Sequence, residues 1–488
     1  MLNRKLLEIL HRLDANERRR LRLLLQSPYF NTFQPPEIIV ELYDYIMSAD
    51  AVEMHPMLNK ADVFARFFPD KIFKEGEKSS LDSLMSKLFS LVRTFLAQDK
   101  IERQSYETEY RELFAWLKFC RKHGLEERFW QVQQALEKLQ EEHPYRDAVY
   151  FHRQFKLAEE VASFRTLSNS LQDDANIENT STYLDTYYSI THLEIMCALQ
   201  YQRQHLIESE TQQDNTQITQ ILALAARGGF EHLPLFELYM IIFKLLSDPD
   251  NDDLRTTFEQ LLEQHSPNIP QEILSNLKAY ERYLWIRHYS QNGDPFYRQK
   301  LFTLYKEHFE QGFFYIDGNI NVTSLRMLVV FALKLGQFDW IKSVLDNHPP
   351  ARICGTRYAA EAHSLNMAEY YFYKREFAEA AEKLQYRLFE NPNFSILVDV
   401  LLIKIYVETR DDLLDTRMKA LKQKVRRMQL GAESSARYSN FLKKLDKIHR
   451  HIWHKKSASY GKMMQEIKSM PQIIEREWLM EKLEEMAK

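Results

Sequence analysis

Apolar residues recur along this chain at intervals of three and four, the spacing that lines one face of an α-helix. Leu6, Leu7, Leu10 and Leu13 predict a first helix. Asp14 stands three residues before Glu17, a capping-box start for a second helix. That helix carries Leu21, Leu24 and Leu25 and stops at Ser27-Pro28, because proline cannot continue it. Ser27 to Asn31 reads as an aromatic turn, with further helices expected over about residues 36–49 and from near Asn59. From Ser80 to Gly124 one stripe runs through Leu81, Leu84, Leu88, Leu91, Val92 and Phe95, and a second through Leu113, Trp116, Leu117 and Cys120. Another pair is expected from Leu125 to Arg165. The Ser/Asn/Asp-rich stretch from Ser168 to Asn179 predicts a loop and a boundary, and Gly312 to Asn321 a second boundary. The apolar run from Leu235 to Leu246 contains Glu237 and Lys244 and reads as a buried core helix.

After Asn321 the pattern repeats. Leu325, Leu328, Val329, Ala332 and Leu333 form one stripe, Gly336 breaks it, and Phe338, Ile341 and Leu345 begin a return helix that stops at Pro349-Pro350. Met367, Ala368 and Tyr371 pair in the same way with Phe377, Ala380, Ala381, Leu384 and Leu388, and Asn391-Pro392 closes that unit. Leu397, Leu401 and Ile405 with Leu414, Met418 and Leu421 make a third pair. The units start about 34 to 36 residues apart, a period that marks hairpins stacking on their neighbours.

The unit from Glu361 to Phe394 resembles the tetratricopeptide repeat. Phe377, Ala380, Leu384 and Pro392 fall where that motif places an aromatic, a small residue, a bulky apolar residue and the closing proline; Ala368 matches the small residue that lets the helices approach. Ser364 replaces the usual tryptophan, Arg387 the second small residue and Ile341 an alanine of the preceding unit, and the third unit lacks a closing proline. The resemblance covers about 100 residues. It implies a right-handed solenoid whose first helices face a groove, which nominates Leu365, Glu369 and Phe372 as partner contacts. The wider layout is similar to a group of uncharacterised bacterial helical proteins with an N-terminal helix pair ending in Ser-Pro-Tyr-Phe-Asn, here Ser27 to Asn31, and that similarity implies a shared fold alone.

Composition agrees with an all-α chain. There are 11 glycines in 488 residues, and the run from Glu77 to His123 has neither glycine nor proline, too little punctuation for many strands. Apolar residues at 45% supply ample core. Cys120, Cys197 and Cys354 form no CxxC pair and read as free thiols in a reducing compartment. Met1 to Asn16 carries charges and no uninterrupted apolar core, so no secretory signal or membrane span is expected and the cytoplasm is the expected location. The expected organisation is an all-α helical-hairpin array: an N-terminal helical region over 1–167, central hairpins over 180–311, tetratricopeptide-like repeats with basic helices over 321–456, and a C-terminal capping helix over 457–488.

Motifs that carry chemistry are missing. There is no P-loop, GxGxxG or GxSxG, whose glycines permit backbone approaches other residues block. Glu8 and His11 form one ExxH step where a di-iron bundle needs two and two further glutamates. His449, His451 and His454, with Asp446 near, lack the ligands of a structural zinc site and read as solvated. No cofactor, metal or catalytic residue is therefore nominated.

Charge is uneven although its net value is only −4. Arg417 to Lys456 holds 13 Lys/Arg against Glu433 and Asp446, an excess of +11. Phe441, Leu445, Ile448 and Ile452 make an apolar stripe, with Lys443, Lys447, Arg450 and His454 on the opposite side. Conversely, Asp173 to Asp214 has eight acids and one arginine. The basic end has three readings: a surface for nucleic-acid phosphates, a dock for an acidic partner or the acidic middle of this chain, or a solvated face capping the array. The leading expectation is a non-catalytic protein–protein adaptor. The alternative is sequence-independent nucleic-acid binding through Arg426, Arg427, Lys443, Lys444 and Lys447.

Overall fold

In a computed structural model of the chain, the described residues are 4–32, 35, 37–48, 59–73, 79–102, 105–167, 174–206, 216–292, 295–385, 389–428, 431–454, 460–470 and 472–487. The fold is all-α, with 23 helices among those residues and three strands of two or three residues each. The chain divides into two units, 1–142 and 143–488.

The first unit contains α1 (Arg4–Arg12), α2 (Ala15–Gln26), α3 (Glu37–Met47), α4 (Lys60–Phe67), α5 (Ser80–Glu102), α6 (Ser105–His123) and α7 (Glu126–Glu141). The capping box forms as expected: Glu17 N–H donates to Asp14 Oδ1 at 2.8 Å, and Asp14 N–H to Glu17 Oε2 at 2.8 Å. The stripes of α1, α2, α3 and α5 meet through Leu6, Leu21, Leu25, Leu42, Leu84 and Leu88. The aromatic turn works through its asparagine. Asn31 is buried, its N–H donates to Ser27 O at 2.8 Å, and its Nδ2 donates to Leu25 O at 2.9 Å, so it satisfies carbonyls that α2 leaves open.

The second unit opens with α8 (Ala148–Leu167), α9 (Asp174–Leu206), α10 (Thr216–Gly228), α11 (Pro234–Ser247), α12 (Asp252–His265), α13 (Gln271–Asn292) and α14 (Pro295–Glu310). Helix α11 is buried nearly all round, from Leu235 to Leu246, as its apolar run requires. Helix α9 begins at Asp174, inside the stretch read as a loop; 168–173 lie outside the described residues. Its first turns are polar, so hydrophobic spacing could not announce them.

After α14 the chain forms a miniature sheet of β1 (Tyr315–Ile316), β2 (Asn319–Asn321) and β3 (Ile353–Cys354). Strands β1 and β2 pair antiparallel around Asp317 and Gly318, both at positive φ, the backbone a two-residue hairpin demands. Strand β3 joins β2 in parallel, with Ile320 opposite Ile353.

The rest comprises α15 (Val322–Lys334), α16 (Phe338–Asn347), α17 (Ala359–Tyr373), α18 (Phe377–Gln385), α19 (Pro392–Thr409), α20 (Leu414–Arg427), α21 (Ala432–His454), α22 (Tyr460–Lys468) and α23 (Arg476–Ala487). The stripes read from the sequence are the buried faces: Leu325, Leu328, Ile341, Ala368, Ala380, Leu401 and Leu421 are each at most 2% exposed. Asn391-Pro392, read as a stop, is the start of α19. Asn391 Oδ1 accepts from Asn393 N–H and Phe394 N–H, and Pro392 occupies the first position of α19, where its missing N–H costs nothing. The C-terminal segment holds two helices instead of one, with Pro471, itself outside the described residues, lying between them. No helix among the described residues is long and apolar enough to cross a membrane.

Candidate functional site

The last helix folds back across the preceding helices and meets side chains from far upstream. With the residues just before it, α23 forms a strap, 472–487, that borders a cavity of about 390 Å³. The array contributes Tyr289 from α13, Arg298 from α14, Lys334 from α15, Phe372 from α17 and Lys404 from α19.

The contacts are mostly charged. Glu475 Oε2 lies 2.7 Å from Lys404 Nζ. Glu477 accepts from Tyr289 Oη at 2.5 Å, and lies 3.0 Å from Lys334 Nζ and 3.4 Å from Arg298. Trp478 Nε1–H donates to Glu408 Oε1 at 2.9 Å, and Lys482 Nζ donates to Glu408 Oε2 at 2.8 Å. Asn440 Nδ2 donates to Gln472 O at 2.8 Å, holding the strap where it enters. Around Lys404 the rings of Phe372, Tyr373 and Trp478 stand 4.6, 5.6 and 5.7 Å from the ammonium, a cation–π enclosure closed by Glu475.

Glu475 itself has φ of +52°, a left-handed conformation that is uncommon outside glycine. Its carbonyl accepts Leu479 N–H at 3.0 Å, so the strained residue both starts α23 and aims its carboxylate at Lys404. Burial pushes the Glu475 carboxyl up, but Lys404, Lys334 and Arg326 outweigh it, and the net shift is down. Glu477 behaves alike: burial raises it, while Lys334, the Tyr289 hydroxyl and Arg298 bring it below the usual range. Lys334 is lowered by burial but raised on balance by Tyr289, Glu477 and Glu475. Burial, then Glu475, Glu369 and Glu477, pushes the Tyr373 phenol far up, so it stays protonated.

The residues nominated from the sequence separate into two groups. Of the contact set, Phe372 borders the cavity, Glu369 is held by both terminal guanidinium nitrogens of Arg326, and Leu365 is 0% exposed in the core and offers a partner no surface. Of the basic set, Arg426, Arg427, Lys443 and Lys447 are exposed on α20 and α21, whereas Lys444 is buried against Glu466 at 2.5 Å. No group of three His, Cys, Asp or Glu among the described residues has metal-holding geometry. The side chains of Glu8, His451 and His454 lie outside the described residues. The sequence reading missed Tyr289, Arg298, Lys334, Lys404 and the whole strap. Lys404 had one local signal: it is a lysine in the otherwise apolar run from Ile396 to Val407, interrupted elsewhere only by Asp399.

The chain matches no family model, no curated protein and no solved structure.

Proposed function

We propose that the second unit is a tetratricopeptide-like, right-handed solenoid acting as a protein-interaction scaffold, and that its ligands are acidic segments bound where the strap lies. The observation that carries this reading is the strap itself. Its Glu475 and Glu477 are recognised by side chains from four helices, α13, α14, α15 and α19, as a bound peptide would be. Carboxylates held below their usual range suit ionic recognition and are the opposite of what a general acid at neutral pH needs. A non-catalytic adaptor fits that chemistry, as it fits an array of hairpins.

The test is a native pull-down of the full chain beside its Lys334→Ala/Lys404→Ala variant, with bound proteins identified before and after nuclease. A near-stoichiometric protein that survives nuclease and is lost from the variant upholds the reading. A second reading, nucleic-acid binding, draws on the exposure of Arg426, Arg427, Lys443 and Lys447. Recovery of nucleic acid, lost on charge reversal at those four positions and unaffected by Lys334→Ala/Lys404→Ala, would replace the scaffold reading with it.

A further inference from the structure

Away from the strap, helices α9, α11 and α13 border a second, open cavity of about 310 Å³. Tyr201, Tyr239 and Tyr280 wall it, Ala198 and Ala279 leave it room, and Glu194 is its carboxylate. Tyr201 and Tyr280 meet edge to face with ring centroids 6.0 Å apart. Tyr239 is 1% exposed, and its hydroxyl makes no hydrogen bond that meets ordinary geometry.

Glu194 is half-buried and forms no ion pair with a lysine or arginine among the described residues. Burial pushes its carboxyl up, the nearby Tyr239 hydroxyl offsets part of this, and the charge of Glu272 pushes it further up. Burial raises the Tyr239 and Tyr280 phenols as well, and raises Tyr201 against the opposing charge of Arg282.

Packing alone explains three tyrosines beside two alanines. It does not explain a half-buried carboxylate set among rings with no lysine or arginine paired to it, next to a buried hydroxyl that makes no hydrogen bond of ordinary geometry, since both arrangements cost stability. Elsewhere the same protein shows what completes such a set. Three rings and the Glu475 carboxylate surround the Lys404 ammonium, with Phe372 at 4.6 Å and Glu475 at 2.7 Å. At the second cavity the rings and the carboxylate belong to the chain, and no lysine or arginine is ion-paired with Glu194 among the described residues.

We propose that this cavity binds an alkylammonium group, with Tyr201, Tyr239 and Tyr280 as its aromatic walls and Glu194 as its counter-charge. The group is carried either by a free small molecule or by a methylated lysine of a peptide. In both cases the rings contribute cation–π attraction and the carboxylate supplies charge in a partly desolvated site.

Isothermal titration of the full chain with choline and with its neutral isostere 3,3-dimethyl-1-butanol tests the proposal. A peptide bearing trimethyllysine and the same peptide unmethylated form the second arm. Choline or the trimethylated peptide should bind at least about tenfold more tightly than its control. Glu194→Gln, which keeps the shape of the side chain, should weaken that binding by about tenfold. Tyr280→Leu should weaken it similarly, while Tyr280→Phe, which keeps the ring, should bind as the parent does. A tighter peptide arm identifies a side chain as the source, and a tighter or equal choline arm a free molecule. Equal binding of choline and its isostere with no preference for the methylated peptide, binding by neither cation, or binding unchanged in Glu194→Gln would each overturn the proposal.

Discussion

Lys404 Nζ and Glu475 Oε2 lie 2.7 Å apart although 71 residues separate them in the chain. The lysine side chain is only 5% exposed and the glutamate 31%, so the ammonium depends on a carboxylate delivered by the strap. Glu475→Ala removes that carboxylate and leaves Lys404 with ring contacts alone. A fully buried broken pair costs about 3–5 kcal/mol; with Glu475 partly in solvent, about 2–3 kcal/mol is expected here. Urea unfolding followed by far-UV circular dichroism measures it. Adding Lys404→Met to Glu475→Ala should restore much of the loss, because no charge is then left unpaired.

The strap should also respond to acid. Glu475 and Glu477 both titrate below their ordinary range in the folded protein. The stability they contribute is therefore fully present above the unfolded glutamate value near 4.5 and is lost as pH falls through the lowered folded values. With no competing ligand present, the strap should stay docked at neutral pH and detach only in strongly acid solution. Trp478 reports on it, since its indole N–H is held by Glu408. The fluorescence difference between the parent and Trp478→Phe should hold steady from neutral pH to about 5 and change below the ordinary glutamate range. A change near neutrality would show that these carboxylates do not hold the strap.

The helices were legible because local physics writes them. The Asp14 and Glu17 pair announced its own capping box, and the stripe from Leu325 to Leu333 announced a buried face. Proline and asparagine were less plain. Asn391-Pro392 reads as the close of a unit but caps the start of α19, and a proline with an asparagine before it suits either role. The sheet escaped because Tyr315–Ile316 and Ile353–Cys354 are too short for any period to show. The strap escaped for a different reason. The links from Glu477 to Tyr289 and Arg298 join residues 188 and 179 positions apart, and only folding brings such charges together. Glu369 was nominated from a repeat's usual groove position; its engagement by Arg326 is likewise a product of stacking.

Arg326 and Glu369 offer a cleaner pair than the strap, since they belong to the packed helices α15 and α17. Their side chains are 17% and 14% exposed. The Arg326 fork addresses both carboxylate oxygens, and Asn366 Oδ1 accepts a further bond at 3.1 Å. Arg326→Met should cost about 3–5 kcal/mol by leaving Glu369 without its partner. Glu369→Met in the same background should recover most of that loss. A double-mutant cycle on unfolding free energies measures the coupling, and additive single effects would show that the pair acts independently.

His308 provides a prediction in the opposite part of the pH scale. It is 2% exposed between α13 and α14, and Arg282 stands 2.8 Å from its Nδ1. A guanidinium can only donate, so Nδ1 is the acceptor and the imidazole proton sits on Nε2, which faces Glu281 Oε2 at 3.4 Å. Burial lowers the His308 pKa; Glu281 opposes that shift, Arg282 and Lys278 add to it, and the net direction is down. The folded protein thus holds this histidine neutral at pH values where the unfolded chain already binds a proton. Stability from the neutral form is fully present above the unfolded value near 6.5 and falls as pH drops below it, until the folded group also protonates. Glu281 cannot produce the same slope, because its own pKa is lowered from 4.5 and its contribution fades only in stronger acid. His308→Gln keeps an acceptor for Arg282 and a donor for Glu281 but cannot titrate. Between pH 7 and 5 the unfolding midpoint of the parent should therefore fall further than that of His308→Gln. Thermal melts at half-unit steps would show it, and parallel curves for the two proteins would place the pH dependence at another group.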